Sequence, residues 1–235
     1  MINENKKDKW NKVNTIVISL GGSVINKGEI NIKFMKEFKK IIKTQKKNFL
    51  IVCGGGSIAR NYQEALSRFS KNHYDLDEIG IKATEINALL LSKVLDARIV
   101  KLEDFEKLSK EKYKKLGRIL VSHGNVPGHT TDFIAVSFAK IMKEKFVINI
   151  SRIRFVRNKN NKGLRRISWN DYLKIIPKRH SPGLKIPFDI EASRLAAKNK
   201  IKVIFTNNLA DLKELLEMIN KNQDLLKFSK GTIIS

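Results

Sequence analysis

The stretch Asn48-Phe49-Leu50-Ile51-Val52-Cys53-Gly54-Gly55-Gly56-Ser57-Ile58-Ala59-Arg60 runs from apolar residues through three glycines into a more polar segment. The apolar run Phe49 to Val52 has the pattern of a strand buried on both faces. Ser57 to Ser70 reads as a helix. Between them the glycines make a strand-to-helix turn, whose N–H groups can approach an anion with no Cβ in the way. Arg60 falls about one turn into the helix. An anion at Gly54 to Gly56 would therefore meet N–H groups, the positive end of the helix dipole and a guanidinium.

The same logic applies nearer the N-terminus. Thr15 to Leu20 is an apolar strand that ends in Gly21-Gly22-Ser23, and the glycines permit backbone angles closed to other residues. An ordinary tight turn is the plain alternative there. Further along, apolar runs alternate with amphipathic segments. Asn31 to Thr44 carries Ile32, Phe34, Met35, Phe38, Ile41 and Ile42 at helical spacing. Helices are expected at Asp77 to Leu95, Thr131 to Lys143, Asp189 to Lys198 and Ala210 to Ile219. Strands are expected at Ala97 to Val100, Arg118 to Val121, Phe146 to Ile150, Lys202 to Thr206 and Thr232 to Ile234. This alternation predicts a three-layer α/β/α sandwich around a mostly parallel sheet, with ligands at the carboxyl ends of the strands. Both glycine turns lie there. The division expected is a polar tail, 1–13, and one domain, 14–235.

A chain of 235 residues with 42% hydrophobic residues can bury a large core without staples. Cys53 is the single cysteine, which rules out an intrachain disulfide and fits a reducing compartment. The polar N-terminal segment lacks a signal-type apolar region, and no run reaches the ~18 apolar residues of a membrane span, so a cytoplasmic protein is expected. Lys and Arg total 47 against 23 Asp and Glu, for a net charge of +24. That charge favours anionic partners such as nucleotides, nucleic acid or acidic lipid, and a lysine-covered surface accounts for it equally.

Gly54-x-Gly56-x-x-Ala59 also satisfies a dinucleotide-binding fingerprint. It stands on the second strand, however, and the acids at the expected distance, Asp75 and Asp77, begin a helix instead of ending a strand. No P-loop occurs. In the segment His123-Gly124-Asn125-Val126-Pro127-Gly128-His129-Thr130-Thr131-Asp132, Thr130 or Thr131 can cap the following helix and offer a hydroxyl to a ligand. His123 and His129 lack zinc spacing, so no metal site is expected there.

Taken in order, Gly21-Gly22-Ser23, GGGSIARNY from Gly54, LDEIGIKATEINALLL from Leu76, PGHTTD from Pro127 and FDIEASRLAAKNKIKVI from Phe188 form a set. With this set the chain resembles the amino-acid-kinase superfamily and, within it, the archaeal-type uridylate (UMP) kinases. The similarity runs from Thr15 to the C-terminus, interrupted between Ser151 and Ser181. The resemblance implies phosphoryl transfer from ATP, with Mg2+, to UMP. It places the acceptor phosphate on Gly54, Gly55, Gly56 and Arg60, and the ribose hydroxyls on Asp77. Thr130 and Thr131 would line the acceptor site, and Gly21, Gly22 and Ser23 would lie along the transferred phosphate. Asp189 would order the reaction centre and Lys185 would reach phosphate. Relatives commonly form hexamers through their early helices, and the apolar face of Asn31 to Thr44 would allow a homohexamer.

The departure is on the donor side. The family's ATP-supporting segment is replaced by the basic stretch Arg152 to Arg166, with Arg152 and Arg154 as donor-side candidates, and a hairpin or loop is expected for it. Ser19 stands where many relatives have a lysine. Two readings follow: a kinase whose arginines replace the usual triphosphate contacts, or a nucleotide-binding relative without phosphoryl transfer whose basic stretch contacts RNA. The joint survival of the acceptor motifs and the late helix favours the kinase. A regulator that binds UMP or UTP without turnover is a third reading.

Overall fold

The computed structural model describes residues 15–108, 112–113, 115–177 and 186–235; the tail 1–13 and Lys185 lie outside these. The chain begins with β1 (Thr15–Leu20), α1 (Gly22–Ile25), α2 (Ile32–Thr44), β2 (Asn48–Cys53), α3 (Gly56–Leu66) and α4 (His73–Leu95). Then come β3 (Arg98–Ile99), α5 (Leu102–Lys107), β4 (Ile119–His123), α6 (Thr131–Met142) and β5 (Phe146–Ile150). The basic stretch folds as expected into a hairpin, β6 (Val156–Arg157) and β7 (Gly163–Leu164). The chain closes with β8 (Arg166–Ile167), α7 (Trp169–Ile175), α8 (Ile190–Lys198), β9 (Lys202–Thr206), α9 (Leu209–Asn220) and β10 (Ile233–Ile234).

One sheet in the order β3-β4-β2-β1-β5-β9-β10-β8 runs through the middle. From β3 to β9 every pairing is parallel, and β10 turns back antiparallel to β9. Helices cover both faces, giving the three-layer sandwich. Because side chains alternate along a strand, β1 sends Ile16, Ile18 and Leu20 to the face covered by α2, α4 and α9. Val17 goes to the opposite face, where α6 and α8 pack. Ser19 shares that second side, and the register puts it beside Asn149 of β5. Two polar side chains are thus set under the start of α6.

Local chemistry fixes the helix starts. Thr130 caps α6 by accepting from the Phe133 N–H at 3.3 Å, and Asp189 caps α8 by accepting from the Ala192 N–H at 2.7 Å. Helix α4 begins at His73, capped by Asn72, earlier than the pattern suggested. Asp77 is therefore one turn inside the helix and does not cap it. On α2, Met35, Phe38 and Ile42 are buried, whereas Ile32 is exposed. Other large exposed apolar side chains are Tyr62 on α3, Phe69 after it, and Ile86 and Leu89 on α4.

Phe138 on α6 is fully buried and meets Phe105 edge-on at 5.1 Å between ring centroids. Phe138→Ala is expected to cost about 3–5 kcal/mol in urea unfolding, because the neighbouring helix and sheet close such a cavity only in part. A loss under about 1 kcal/mol would mean that this layer is not packed as described.

Candidate active site

The carboxyl ends of β1 and β2 are joined through their turns. The Gly21 N–H donates to Ile150 O at 2.8 Å, and the Gly54 N–H donates to Leu20 O at 2.9 Å. These bonds extend the sheet into the glycines and press one turn onto the other. A Cβ on Gly22 would lie 2.1 Å from the Gly56 nitrogen and 2.4 Å from the Gly54 oxygen. One on Gly56 would lie 2.5 Å from the Gly22 oxygen, and φ there is +68°. Only glycine fits at either position. The Asn87 Nδ2, buried on α4, donates to Gly54 O at 2.8 Å and Gly55 O at 3.1 Å. In a trans peptide the N–H points opposite to the carbonyl, so the Gly55 and Gly56 N–H groups face away from Asn87. They stand at the head of α3, where no intrahelical acceptor claims them.

Beside this turn an open cleft of about 180 Å³ is lined by Asp77, Gly80, Thr84, Val126, Thr130 and Thr131, among others. Asp77 and the threonines named from the sequence thus come together, from two helices distant along the chain. The Asp77 Oδ2 accepts from the Gly128 N–H at 2.7 Å, which holds the 124–130 loop against α4 and leaves Oδ1 for a ligand. Thr84 supports the same loop, accepting from the Gly124 N–H at 3.0 Å. The buried His123 keeps its Nδ1 on Gly124 O at 2.6 Å, and His129 stacks on Phe133. Arg60 is exposed on the first turns of α3 and does not line this cleft.

Sequence reasoning missed one member of the site. Asp132, at the start of α6, accepts from the Ser19 Oγ at 2.7 Å and the Asn149 Nδ2 at 3.0 Å, both on its Oδ1. Burial pushes its carboxyl up to about 7, the Asp189 charge adding to this and the hydrogen bonds opposing it. Asn149 Oδ1 is buried and has no partner. Polar residues at Ser19 and Asn149, inside otherwise apolar strands, were the available signal.

Residues 14–207 match the model of the amino acid kinase family. The chain belongs to the amino acid kinase family. A uridylate kinase of Thermoplasma volcanium is 36% identical, covering 86% of this chain and 93% of its own. That of Thermoplasma acidophilum is 32% identical over 86% and 92%. The crystal structure of uridylate kinase from Archaeoglobus fulgidus superimposes with a TM-score of 0.73 at 25% identity, covering 94% of this chain and 100% of its own.

In this amino acid kinase the two donor-side arginines have different surroundings. Arg154 is tied into the fold: its Nε donates to Lys230 O at 2.5 Å, and its guanidinium pairs with the buried Asp211 at 3.1 Å. Arg152 is exposed and lines a second cleft, beside Gly21. Ser23 is half-buried in α1. No described helix is long and apolar enough to cross a membrane.

Two outcomes follow from this geometry. Gly22→Ala is expected to destabilise the protein by about 3 kcal/mol or more, since backbone atoms cannot yield to the new methyl. Gly21→Ala, whose nearest neighbour would be 3.2 Å away, is expected to cost about 1 kcal/mol or less, and equal losses would refute the turn-to-turn contact. The acid gives a pH signature. Asp132 titrates at about 7 folded against 3.8 ordinarily, so folding retains its proton and its stabilising contribution is lost as pH rises from about 4 to 7. Glu144, also raised to about 7 by burial, acts in the same direction. Urea stability is expected to fall by about 2–4 kcal/mol less over that range in Asp132→Asn than in the wild type. An unchanged slope would remove Asp132 from the buried acids.

Proposed function

We propose that the protein is a uridylate kinase that moves the γ-phosphoryl group of ATP onto the phosphate of UMP. The observation that carries the reading is that the cleft is walled by Ala59 and Gly80, the neighbours of Gly55, in the turn that rests on Gly22. A nucleoside monophosphate with its ribose on Asp77 and its phosphate at the head of α3 brings the attacking oxygen to the Gly22 turn. Transfer of this kind asks the protein for positioning and charge neutralisation more than covalent chemistry. The Gly55 and Gly56 N–H groups, with the positive end of α3, bind the acceptor phosphate, and Arg60 at the same helix end adds positive charge outside the cleft wall. Thr130 and Thr131 close the far wall of the site.

Mg2+ would neutralise the phosphates of the donor. It is commonly held by one or two carboxylates plus substrate oxygens. The pair Asp132 and Asp189, with the partnerless Asn149 Oδ1 beside them, offers hard oxygens that fit this ion. Asp189 also holds α8 in place through its cap, so the acid pair is fixed by the helix it starts. Lys185 is proposed as a further cation for the donor phosphates, from its place in the sequence.

A coupled assay with ATP and each nucleoside monophosphate tests the reading, with turnover of UMP to UDP expected. If Asp77 Oδ1 binds ribose, replacing UMP by dUMP raises KM by roughly tenfold in the wild type and leaves KM nearly unchanged in Asp77→Asn. An equal dUMP penalty in both proteins would leave Asp77 as the holder of the Gly128 loop alone. Absence of UMP turnover would overturn the kinase assignment.

A further inference from the structure

Resting on the kinase reading, we propose that Lys27, in the loop between α1 and α2, is a donor-binding residue that grips the ATP phosphates together with Arg152. Both line a cleft of about 240 Å³, with Val24, Asn31, Ser151 and Asn207 among its other walls. Among the described residues, no acid lines it. Its position follows from strand order. The acceptor cleft opens beside the ends of β2 and β4, whereas Ser151 follows β5 and Asn207 follows β9, on the other side of β1. The two clefts therefore flank the Gly21–Gly22 turn. Ser151 abuts that turn, since a Cβ on Gly21 would lie 3.3 Å from its own Cβ.

The loop carrying Lys27 is not a loose tether. Asn26 is buried, and its Oδ1 accepts from the Ser57 Oγ at 2.6 Å and from the Gly28 N–H at 2.9 Å. Asn26 O also takes the Ser57 hydroxyl, at 3.2 Å. An Asn26–Ile30 bridge closes the loop, and Gly28 at φ +123° makes the return. Ser57 belongs to the first turn of α3, so the position of Lys27 is keyed to the helix that takes the acceptor phosphate. Its side chain and that of Arg152 are exposed.

Charge supplies the need for this pair. A triphosphate brought next to a second phosphate, near Asp132 and Asp189, requires cations close to the turn. Among the described residues no Lys or Arg lines the acceptor cleft, and Arg154 is paired with Asp211. Among the described residues lining the two clefts, Lys27 and Arg152 carry the fixed positive charges. An ammonium on one wall and a guanidinium on another suit the several oxygens of a polyphosphate.

The test compares Lys27→Gln, Lys27→Arg and Arg152→Gln with Lys140→Gln, an equal charge change on the last turn of α6. Calorimetry with ATP and with UMP is run beside initial-rate kinetics. Lys27→Gln and Arg152→Gln are each expected to weaken ATP binding and raise its KM by roughly tenfold, with UMP affinity unchanged. Lys27→Arg keeps most of the ATP affinity, and Lys140→Gln keeps all of it. Wild-type ATP affinity in Lys27→Gln, or an equal loss in Lys140→Gln, overturns the proposal while UMP turnover leaves the kinase reading standing. Lys27-dependent ATP binding without any turnover does the reverse. A wild-type protein that binds no ATP sinks both.

Discussion

The structure depends on a contact between two stretches of bare backbone. Gly22 rests on Gly54 and Gly56 with less room between them than one methyl group needs. The contact is possible because β1 and β2 are adjacent and in parallel register, Leu20 opposite Cys53, so their turns leave the sheet at one level. The two turns are thereby held in contact. Any larger residue would separate them. The spacing of the two turns is set by backbone sterics, before any side chain takes part.

The next layer of control is the polar step in the sheet beneath α6. Ser19 and Asn149 are register neighbours that interrupt apolar strands, and both donate to Asp132. A carboxyl with two donors on one oxygen is held in one orientation, yet burial raises its pKa to about 7, and the nearby Asp189 charge adds to this. Such a pair is costly unless a cation or a proton is shared with it. The unpartnered Asn149 Oδ1 belongs to the same pocket of unmet negative potential. Stability given up here matches what a site needs to receive positive charge together with its phosphates.

Much of this was legible in the chain. The apolar runs gave the strands, the period of the helices gave their faces, and both glycine turns sit where the sequence placed them. What escaped was non-local. Asp132 reads as one acid in a helix start until the register brings Ser19 and Asn149 under it. Asp77 was read as the start of α4, whereas Asn72 caps that helix a turn earlier. Arg154 looked equivalent to Arg152, being two residues away in a basic run. Their difference lies in Asp211 and Lys230, far along the sequence. On α2 the period named the apolar side but not its division, with Met35, Phe38 and Ile42 turned to the core and Ile32 left exposed.

The division of charge between the two sides of the site follows from the same backbone contact. On the proposed acceptor side the phosphate would sit at the head of α3, where N–H groups and a helix dipole are enough for one monophosphate. Asp77, an acid, can stand in that cleft because the contact proposed for it is with ribose hydroxyls and not the phosphate. On the donor side a polyphosphate carries more charge than oriented N–H groups can balance, and side-chain cations are required. α1 is only four residues long, too short to bring a substantial dipole to the task. The loop after it brings Lys27 instead, and β5 runs directly into Arg152. A kinase built on touching glycine turns therefore has one side that backbone can serve and one that it cannot. The strand order puts Lys27 and Arg152 on that second side.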